Sequence, residues 1–205
     1  MPIPSLNVAS WVSVTESEGP GKRFALWVQG CPFRCPGCCN PHYLAFREAQ
    51  RMSVDEIWEK ISEVQSEVEG LTFIGGEPFS QAEALAALAE KAQAQDLSVM
   101  IFSGYELLEL QSPEHLEFAS RQALLSHSDL LVDGQYREKE PDHSRRWIGS
   151  TNQQIHFLSD RYRHLEKDWD TSPDTIELKL INGKLTINGD PDADITQLNK
   201  LLARK

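Results

Sequence analysis

Outside one nine-residue window the chain has no cysteine: all four, Cys31, Cys35, Cys38 and Cys39, fall together. A disulfide framework staples distant segments, so this distribution excludes one. Long apolar runs are also missing. No stretch approaches the roughly 20 apolar residues a membrane-spanning helix requires. The opening Met1-Pro2-Ile3-Pro4-Ser5 has neither the basic nor the apolar region of a secretory signal. The expectation is a cytoplasmic protein with no membrane association. Positive charge is scarce, with 20 Lys and Arg against 31 Asp and Glu, a net charge of −11. That balance leaves no electrostatic footprint for nucleic acid and repels an anionic lipid surface. Internal repeats and low-complexity tracts are absent as well.

What is present, 205 residues of which 40% are hydrophobic, fits a single domain with a core. Four short, continuous apolar runs at 24–28, 71–74, 97–102 and 130–132 read as buried parallel strands. Between them, Val54, Ile57, Ile61, Val64 and Val68 recur in steps of three and four, and Ser53 with Glu56 forms a capping box ahead of them. Ser80 and Glu83 mark a second helix start, with Leu85, Leu88, Ala89 and Ala92 on one side as far as Gln95. Ser112-Pro113 marks a third. Strands alternating with helices imply right-handed crossovers and a parallel sheet, in which function collects at the carboxyl ends of the strands. The cysteine loop, Gly75-Gly76-Glu77-Pro78, Ser103-Gly104-Tyr105 and Asp133-Gly134-Gln135 each follow one predicted strand, so all four fall on one edge, as in an enzyme site. Asn182-Gly183 signals a hairpin turn between 175–181 and 184–188, and a helix from Asp194 carries Ile195, Leu198, Leu201 and Leu202. The polar stretch 161–174 reads as a connection. The organisation expected is therefore a core of residues 1–160 and an extension, 161–205, packed on it.

The cysteines are spaced C-x3-C-x2-C. Three thiolates at this spacing can grip three corners of an iron-sulfur cube, leaving one iron open, because Cys39 is held too close to Cys38 by their peptide link to reach the fourth. A zinc site would need a second ligand pair at a distance, and none exists. Cys35-Pro36-Gly37-Cys38 also has the form of a thioredoxin-like redox pair. A non-catalytic metal-binding module and a thiol oxidoreductase thus remain alternatives on spacing alone.

At these residues the sequence resembles the radical S-adenosylmethionine superfamily, and within it the glycyl-radical-enzyme activases that serve anaerobic ribonucleotide reductase. The likeness is carried by Glu18-Gly19-Pro20-Gly21-Lys22-Arg23, by 29–38 with the three spaced cysteines, by Gly75-Gly76-Glu77-Pro78, by Asp133-Gly134, and by Arg146-Trp147-Ile148-Gly149-Ser150-Thr151-Asn152-Gln153. It covers most of residues 7–158. The resemblance implies an α/β fold, an incomplete parallel (β/α) barrel with the small C-terminal hairpin and helix appended; a complete barrel takes about 250 residues. It implies a 4Fe-4S cluster on Cys31, Cys35 and Cys38, with S-adenosyl-L-methionine on the open iron. The catalytic chemistry would lie in those groups and not in a particular side chain. Contacts to S-adenosyl-L-methionine would come from Gly37, Cys39, Gly75, Gly76, Glu77, Pro78, Ser103, Asp133, Asn152 and Gln153. Implied partners are a glycyl radical enzyme resembling anaerobic ribonucleotide reductase and a flavodoxin- or ferredoxin-type electron donor.

Each contact has a plainer reading beside it. Gly75 and Gly76 also suit a strand-to-helix turn with positive φ, Ser103 a helix cap, Asp133 a backbone turn, and Asn152 and Gln153 strand-edge capping. His42 and Tyr43 take no role. Two positions depart from the family. Gln135 stands where a basic residue often meets the ligand carboxylate, which shifts that task to Arg137, Arg145 or Arg146, and Cys39 stands where tyrosine is common. Modification of a small molecule or a peptide is the alternative within the superfamily.

Overall fold

The computed structural model describes residues 4–114, 116–167, 169, 176–181 and 184–189. The continuous apolar runs do form the middle of a sheet. β1 (Ser5–Thr15) pairs antiparallel with β2 (Arg23–Val28) on one side and with β3 (Gln50–Ser53) on the other. β2, β4 (Gly70–Gly75), β5 (Ser98–Phe102) and β6 (Leu130–Asp133) then lie side by side in parallel, and β7 (Gln154–Phe157) closes the far edge antiparallel to β6. The order is β3-β1-β2-β4-β5-β6-β7. β2 and β6 are buried at every position, as expected of parallel strands covered on both faces. The three antiparallel strands have no such run to betray them. β1 is mostly half-buried, β3 is exposed at Gln50 and Arg51, and β7 has no fully buried residue.

The helices return the chain from strand to strand. α1 (Val54–Ser62) opens with the expected capping box: Ser53 Oγ accepts from the Glu56 N–H at 3.2 Å, and the Glu56 carboxylate accepts from the Ser53 N–H at 2.7 Å. It buries Val54, Ile57 and Ile61 and ends before Val64 and Val68, so the predicted periodicity outruns the helix. α2 (Ala82–Gln93) departs from expectation at its start. No Ser80–Glu83 box forms; a 3-10 turn at Pro78–Gln81 precedes the helix, capped by Glu77, whose carboxylate accepts from the Phe79 N–H. Alanines 82, 84, 86, 89 and 92 are buried along α2 and let it lie close, while Leu85 and Leu88 are fully buried and contribute about 1.5–3 kcal/mol each. Pro113 does not open a helix. A single turn, α3 (Leu107–Leu110), with its own capping box of Glu106 and Glu109, comes first, and α4 (Phe118–Ser126) starts five residues beyond Pro113.

β8 (Ile176–Ile181) and β9 (Lys184–Gly189) pair antiparallel as a separate two-stranded sheet. Glu177 accepts from the Glu16 N–H at 3.1 Å, and Asn188 Nδ2 donates to Thr15 Oγ1 at 2.9 Å, so this sheet is tied to the end of β1. The Asn182-Gly183 turn and the helix expected from Asp194 lie outside the described residues. The polar stretch from residue 161 is more than a connection, because Tyr162 and Trp169 within it are buried. Tyr162 reaches the guanidinium of Arg23, which is itself fully buried at the amino ends of the parallel strands. Arg23 donates to Thr72 Oγ1 at 3.0 Å, Ser98 Oγ at 2.7 Å, Tyr162 Oη at 3.1 Å and the Leu71 carbonyl. Burial lowers its pKa, opposed by the tyrosine. Among the described residues no helix is long and apolar enough to cross a membrane.

Candidate functional site

The four predicted segments meet at the carboxyl edge of β2, β4, β5 and β6. The cysteine loop leaves β2 under tight backbone control: Gly30 N–H donates to the Tyr43 carbonyl at 2.8 Å and Cys31 N–H to the Leu44 carbonyl at 3.0 Å, so 30–44 returns on itself. Cys38 N–H closes a turn on the Cys35 carbonyl at 3.2 Å, with Gly37 at φ +72°. Cys31 is buried, Cys35 and Cys38 are half-buried, Cys39 is exposed, and all four thiols are free. Burial pushes the Cys31 thiol up to about 12, and the neighbouring Cys35 and Cys38 add to the shift. Cys35 is also raised by burial, against a backbone N–H from Tyr136. Cys38 is lowered to about 6 because Cys39 donates to it, and Cys39 is raised as the donor. Asn40 serves both sulfurs, its N–H donating to Cys38 Sγ at 3.4 Å and its Nδ2 to Cys39 Sγ at 3.3 Å.

Among the described residues no three metal-ligating side chains converge on one point. Zinc needs such convergence. An iron-sulfur cube takes each thiolate at a different corner, and three soft donors on one loop, each receiving a backbone N–H (Phe33 to Cys31, Tyr136 to Cys35, Asn40 to Cys38), fit that group.

The Gly75-Gly76-Glu77-Pro78 turn rests directly on this loop. Gly75 has φ +110°, so the positive-φ reading holds for it. Gly76 is needed for closeness: a Cβ there would stand 2.2 Å from the Gly30 carbonyl oxygen. Gly76 N–H donates to the Val28 carbonyl and Glu77 N–H to the Gly30 carbonyl, both at 2.8 Å. The Glu77 carboxylate is buried and accepts from Phe79 N–H at 2.9 Å, Ser103 Oγ at 3.0 Å and Gly104 N–H at 2.8 Å. Burial raises its pKa to about 7 against those bonds and the charge of Arg121. Ser103 also accepts from the Tyr105 N–H at 3.1 Å. Pro78 is buried at the first position of the 3-10 turn.

After β6 the plainer readings also account for the bonds. Asp133 Oδ2 accepts from the Leu107 N–H at 2.7 Å, and His156 Nε2 stands 2.8 Å away without hydrogen-bond alignment. Gln153 Oε1 accepts from the Gly149 and Ser150 N–H groups at 3.0 and 3.1 Å, and its Nε2 donates to the Gly134 carbonyl at 2.9 Å. Asn152 Nδ2 donates to the Gln135 carbonyl at 2.9 Å, and its Oδ1 accepts from Ser150 Oγ at 2.8 Å. The two amides clasp 149–153 to 134–135. The loop this clasp holds lies over the cysteine turn: a Cβ on Gly37 would stand 3.0 Å from Glu138 and 3.1 Å from Tyr136. Arg145 is held by Asp142 and the carbonyls of Thr151 and Gln153, Arg146 by the Glu16 carbonyl, and Arg137 pairs with Glu140 at the surface.

Sequence reasoning missed three features. Phe33, inside the cysteine loop, packs edge-on against Tyr105 at 4.7 Å. Arg121 is buried behind that ring. Glu18 is buried although a Glu beside a Gly-Pro-Gly turn reads as exposed; its carbonyl accepts from Thr72 Oγ1 at 2.7 Å. Burial raises the Glu18 carboxyl to about 8, the Gly189 N–H opposes this, and nearby Glu177 adds to it. Because the folded pKa exceeds the ordinary 4.5, the native state holds a proton the unfolded state has lost as pH rises above 4.5. Stability from this group therefore falls between pH 4.5 and 8 by about 1.4 kcal/mol per pH unit. Glu18→Gln flattens that slope in urea melts compared across this range, and an unchanged slope would place the titration elsewhere.

A family model described as a 4Fe-4S single cluster domain matches residues 17–156. The anaerobic ribonucleoside-triphosphate reductase-activating protein of Vibrio cholerae is 31% identical over 158 residues, 74% of this chain and 97% of that protein. The protein of the same name from Escherichia coli strain K12 is 27% identical over 160 residues, 75% of this chain and 99% of its own. That from Enterobacteria phage T4 is 29% identical over 143 residues, 67% and 85%. The crystal structure of QueE from Escherichia coli aligns only loosely, with a TM-score of 0.41 at 15% identity over 49% of this chain and 52% of that one. With a family model spanning well over half its length and a relative matched almost end to end, this chain belongs to the 4Fe-4S single cluster domain family, in its branch of anaerobic ribonucleoside-triphosphate reductase-activating proteins.

Proposed function

We propose that this chain is a radical-generating activase that, carrying a 4Fe-4S cluster and S-adenosyl-L-methionine, leaves a glycyl radical on an anaerobic ribonucleotide reductase. The observation that carries the reading is membership of the activating-protein family in a chain whose three spaced thiols sit on the loop after β2. When bound, the cluster and S-adenosyl-L-methionine supply one-electron cleavage of the sulfonium C–S bond and a 5'-deoxyadenosyl radical that takes a hydrogen atom from glycine Cα.

The chain's own residues hold and shield. Cys31, Cys35 and Cys38 ligate, with N–H groups of Tyr136 and Asn40 directed at two of the sulfurs. Gly75 and Gly76 press their turn onto the cysteine loop, where their backbone carbonyls would receive the ligand's ammonium group. Glu77 and Pro78 fix that turn. Gly37 and Cys39 would border the adenine of bound S-adenosyl-L-methionine. Ser103, Asp133, Asn152 and Gln153 spend their bonds on the protein and shape the wall. The four parallel strands form the curved part of a barrel whose open side admits a glycine loop from the large partner. Residues 1–160 make this core, and 161–205 pack on it as an extension. A flavodoxin- or ferredoxin-type protein delivers the electron in the cytoplasm.

Modification of a small molecule or peptide is favoured by one feature: the family model stops at residue 156, and β8 and β9 beyond it reach the segment holding Glu18. Anaerobic reconstitution followed by turnover with the reductase separates the two. A glycyl doublet in the electron paramagnetic resonance spectrum of the reductase, with 5'-deoxyadenosine formed, is the expected result. 5'-Deoxyadenosine without the doublet would overturn it in favour of another substrate.

A further inference from the structure

Arg121 is an unusual residue to find in the core of α4. It is 1% exposed, and its Nε and Nη1 have no hydrogen-bond partner, while Nη2 stands 3.7 Å from Glu117. Buried donors left unspent are costly and call for an explanation. Two features of its surroundings supply one. The guanidinium carbon lies 4.5 Å from the centroid of the Tyr105 ring, and Tyr105 meets the Phe33 ring edge-on at 4.7 Å. Phe33 is two residues from Cys31 and two from Cys35. The charge of Arg121 also acts on the carboxylate of Glu77, which gathers Phe79, Ser103 and Gly104. Gly104 in turn lies under Phe33, since a Cβ there would stand 2.5 Å from its ring. Both routes from Arg121 end beneath the same aromatic residue of the cysteine loop.

We propose that Arg121 is a positioning residue that sets the floor on which the cysteine loop rests, through the edge-on Tyr105–Phe33 contact on one side and the Glu77–Gly104 bond on the other. It touches neither cluster nor ligand. Its influence is on the height and tilt of Cys31 and Cys35 relative to the Gly75-Gly76 turn, and so on how tightly the loaded chain would bind S-adenosyl-L-methionine. The flat guanidinium suits the face of the Tyr105 ring and its charge favours the Glu77 carboxylate, so lysine keeps the charge alone and methionine keeps neither.

This inference rests on the proposed function, and the test reads the two apart. Chains with Arg121→Lys, Arg121→Met and Tyr105→Leu are reconstituted anaerobically, iron and sulfide are counted, and the reduced-cluster spectrum and S-adenosyl-L-methionine affinity are measured. In Arg121→Met the cluster loads, affinity falls about tenfold or more, the scale on which outer-shell partners act, and the spectral change on adding S-adenosyl-L-methionine is altered. Arg121→Lys falls between the two. A lowered melting temperature with unchanged affinity and spectrum would make Arg121 a packing residue only and overturn the proposal. Should Arg121→Met fail to fold, Tyr105→Leu decides, because it removes the ring and leaves the charge; unchanged affinity there overturns the proposal equally. If the unsubstituted chain loads no cluster, the reading beneath the inference falls and takes the inference with it.

Discussion

Cys35→Ser yields a folded chain that loads little iron and forms 5'-deoxyadenosine more than about a hundredfold more slowly than the unsubstituted protein. The magnitude follows from comparison: losing an outer-shell partner of a metal ligand costs roughly 10–100-fold, and a ligand lost from a set of three should cost more. Folding survives because Cys35 is only half-buried, and its thiol is held only by backbone N–H groups, of Tyr136 and of Cys35 itself. Cys39→Ser supplies the contrast. The residue lies at the surface with its sulfur bonded to Asn40 and Cys38, and full iron content in that variant assigns it no ligand role. Iron and sulfide analysis beside a 5'-deoxyadenosine assay checks both. If Cys35→Ser kept its iron and Cys39→Ser lost it, the ligand set would have to be redrawn.

Gly76→Ala has the second large effect, and for a different reason. The added methyl would lie 2.2 Å from the Gly30 carbonyl oxygen, 2.7 Å from its carbon and 2.9 Å from its nitrogen. All three are backbone atoms, so no side chain can swing away. Relief requires the turn to lift, which strains the bonds from Gly76 to Val28 and from Glu77 to Gly30. The expected loss of stability is about 3 kcal/mol, the upper part of the overpacking range, seen as a shift in urea midpoint. S-adenosyl-L-methionine binding falls with it, because Gly30 precedes Cys31. An alanine variant as stable as the parent would mean that the turn and the loop are not in this contact.

The parallel strands are legible in the sequence because burial on both faces forces continuous apolar runs, as in Phe24 to Val28 and Leu130 to Val132. The site edge is legible for a related reason: each unusual segment follows such a run. β1, β3 and β7 escape notice because antiparallel strands with a solvated face mix Ser, Gln and Arg into their pattern. Ser80 and Glu83 have the spelling of a capping box, yet Glu77 caps the preceding turn first. Asn152 and Gln153 show a limit of chemistry, since an amide serves a ligand and a backbone clasp with the same two groups; the clasp to Gly134, Gln135, Gly149 and Ser150 is visible only in the packed structure. Glu18 and Arg121 are harder still. Charged residues ordinarily belong to the surface, and only the packed structure places these two inside.

Arg23 bears on how the extension relates to the core. Its guanidinium lies wholly within the molecule at the pole opposite the cysteines, and one of its acceptors, the Tyr162 hydroxyl, comes from beyond the end of the matched family segment. Tyr162 also shares a hydrogen bond with Ser98 at 2.7 Å, so strands β2 and β5 and the first turn of the extension converge on one cation. Tyr162 is therefore no detachable appendage: it is part of the keystone at the amino ends of β2 and β5, and a boundary drawn at residue 156 cuts through that arch.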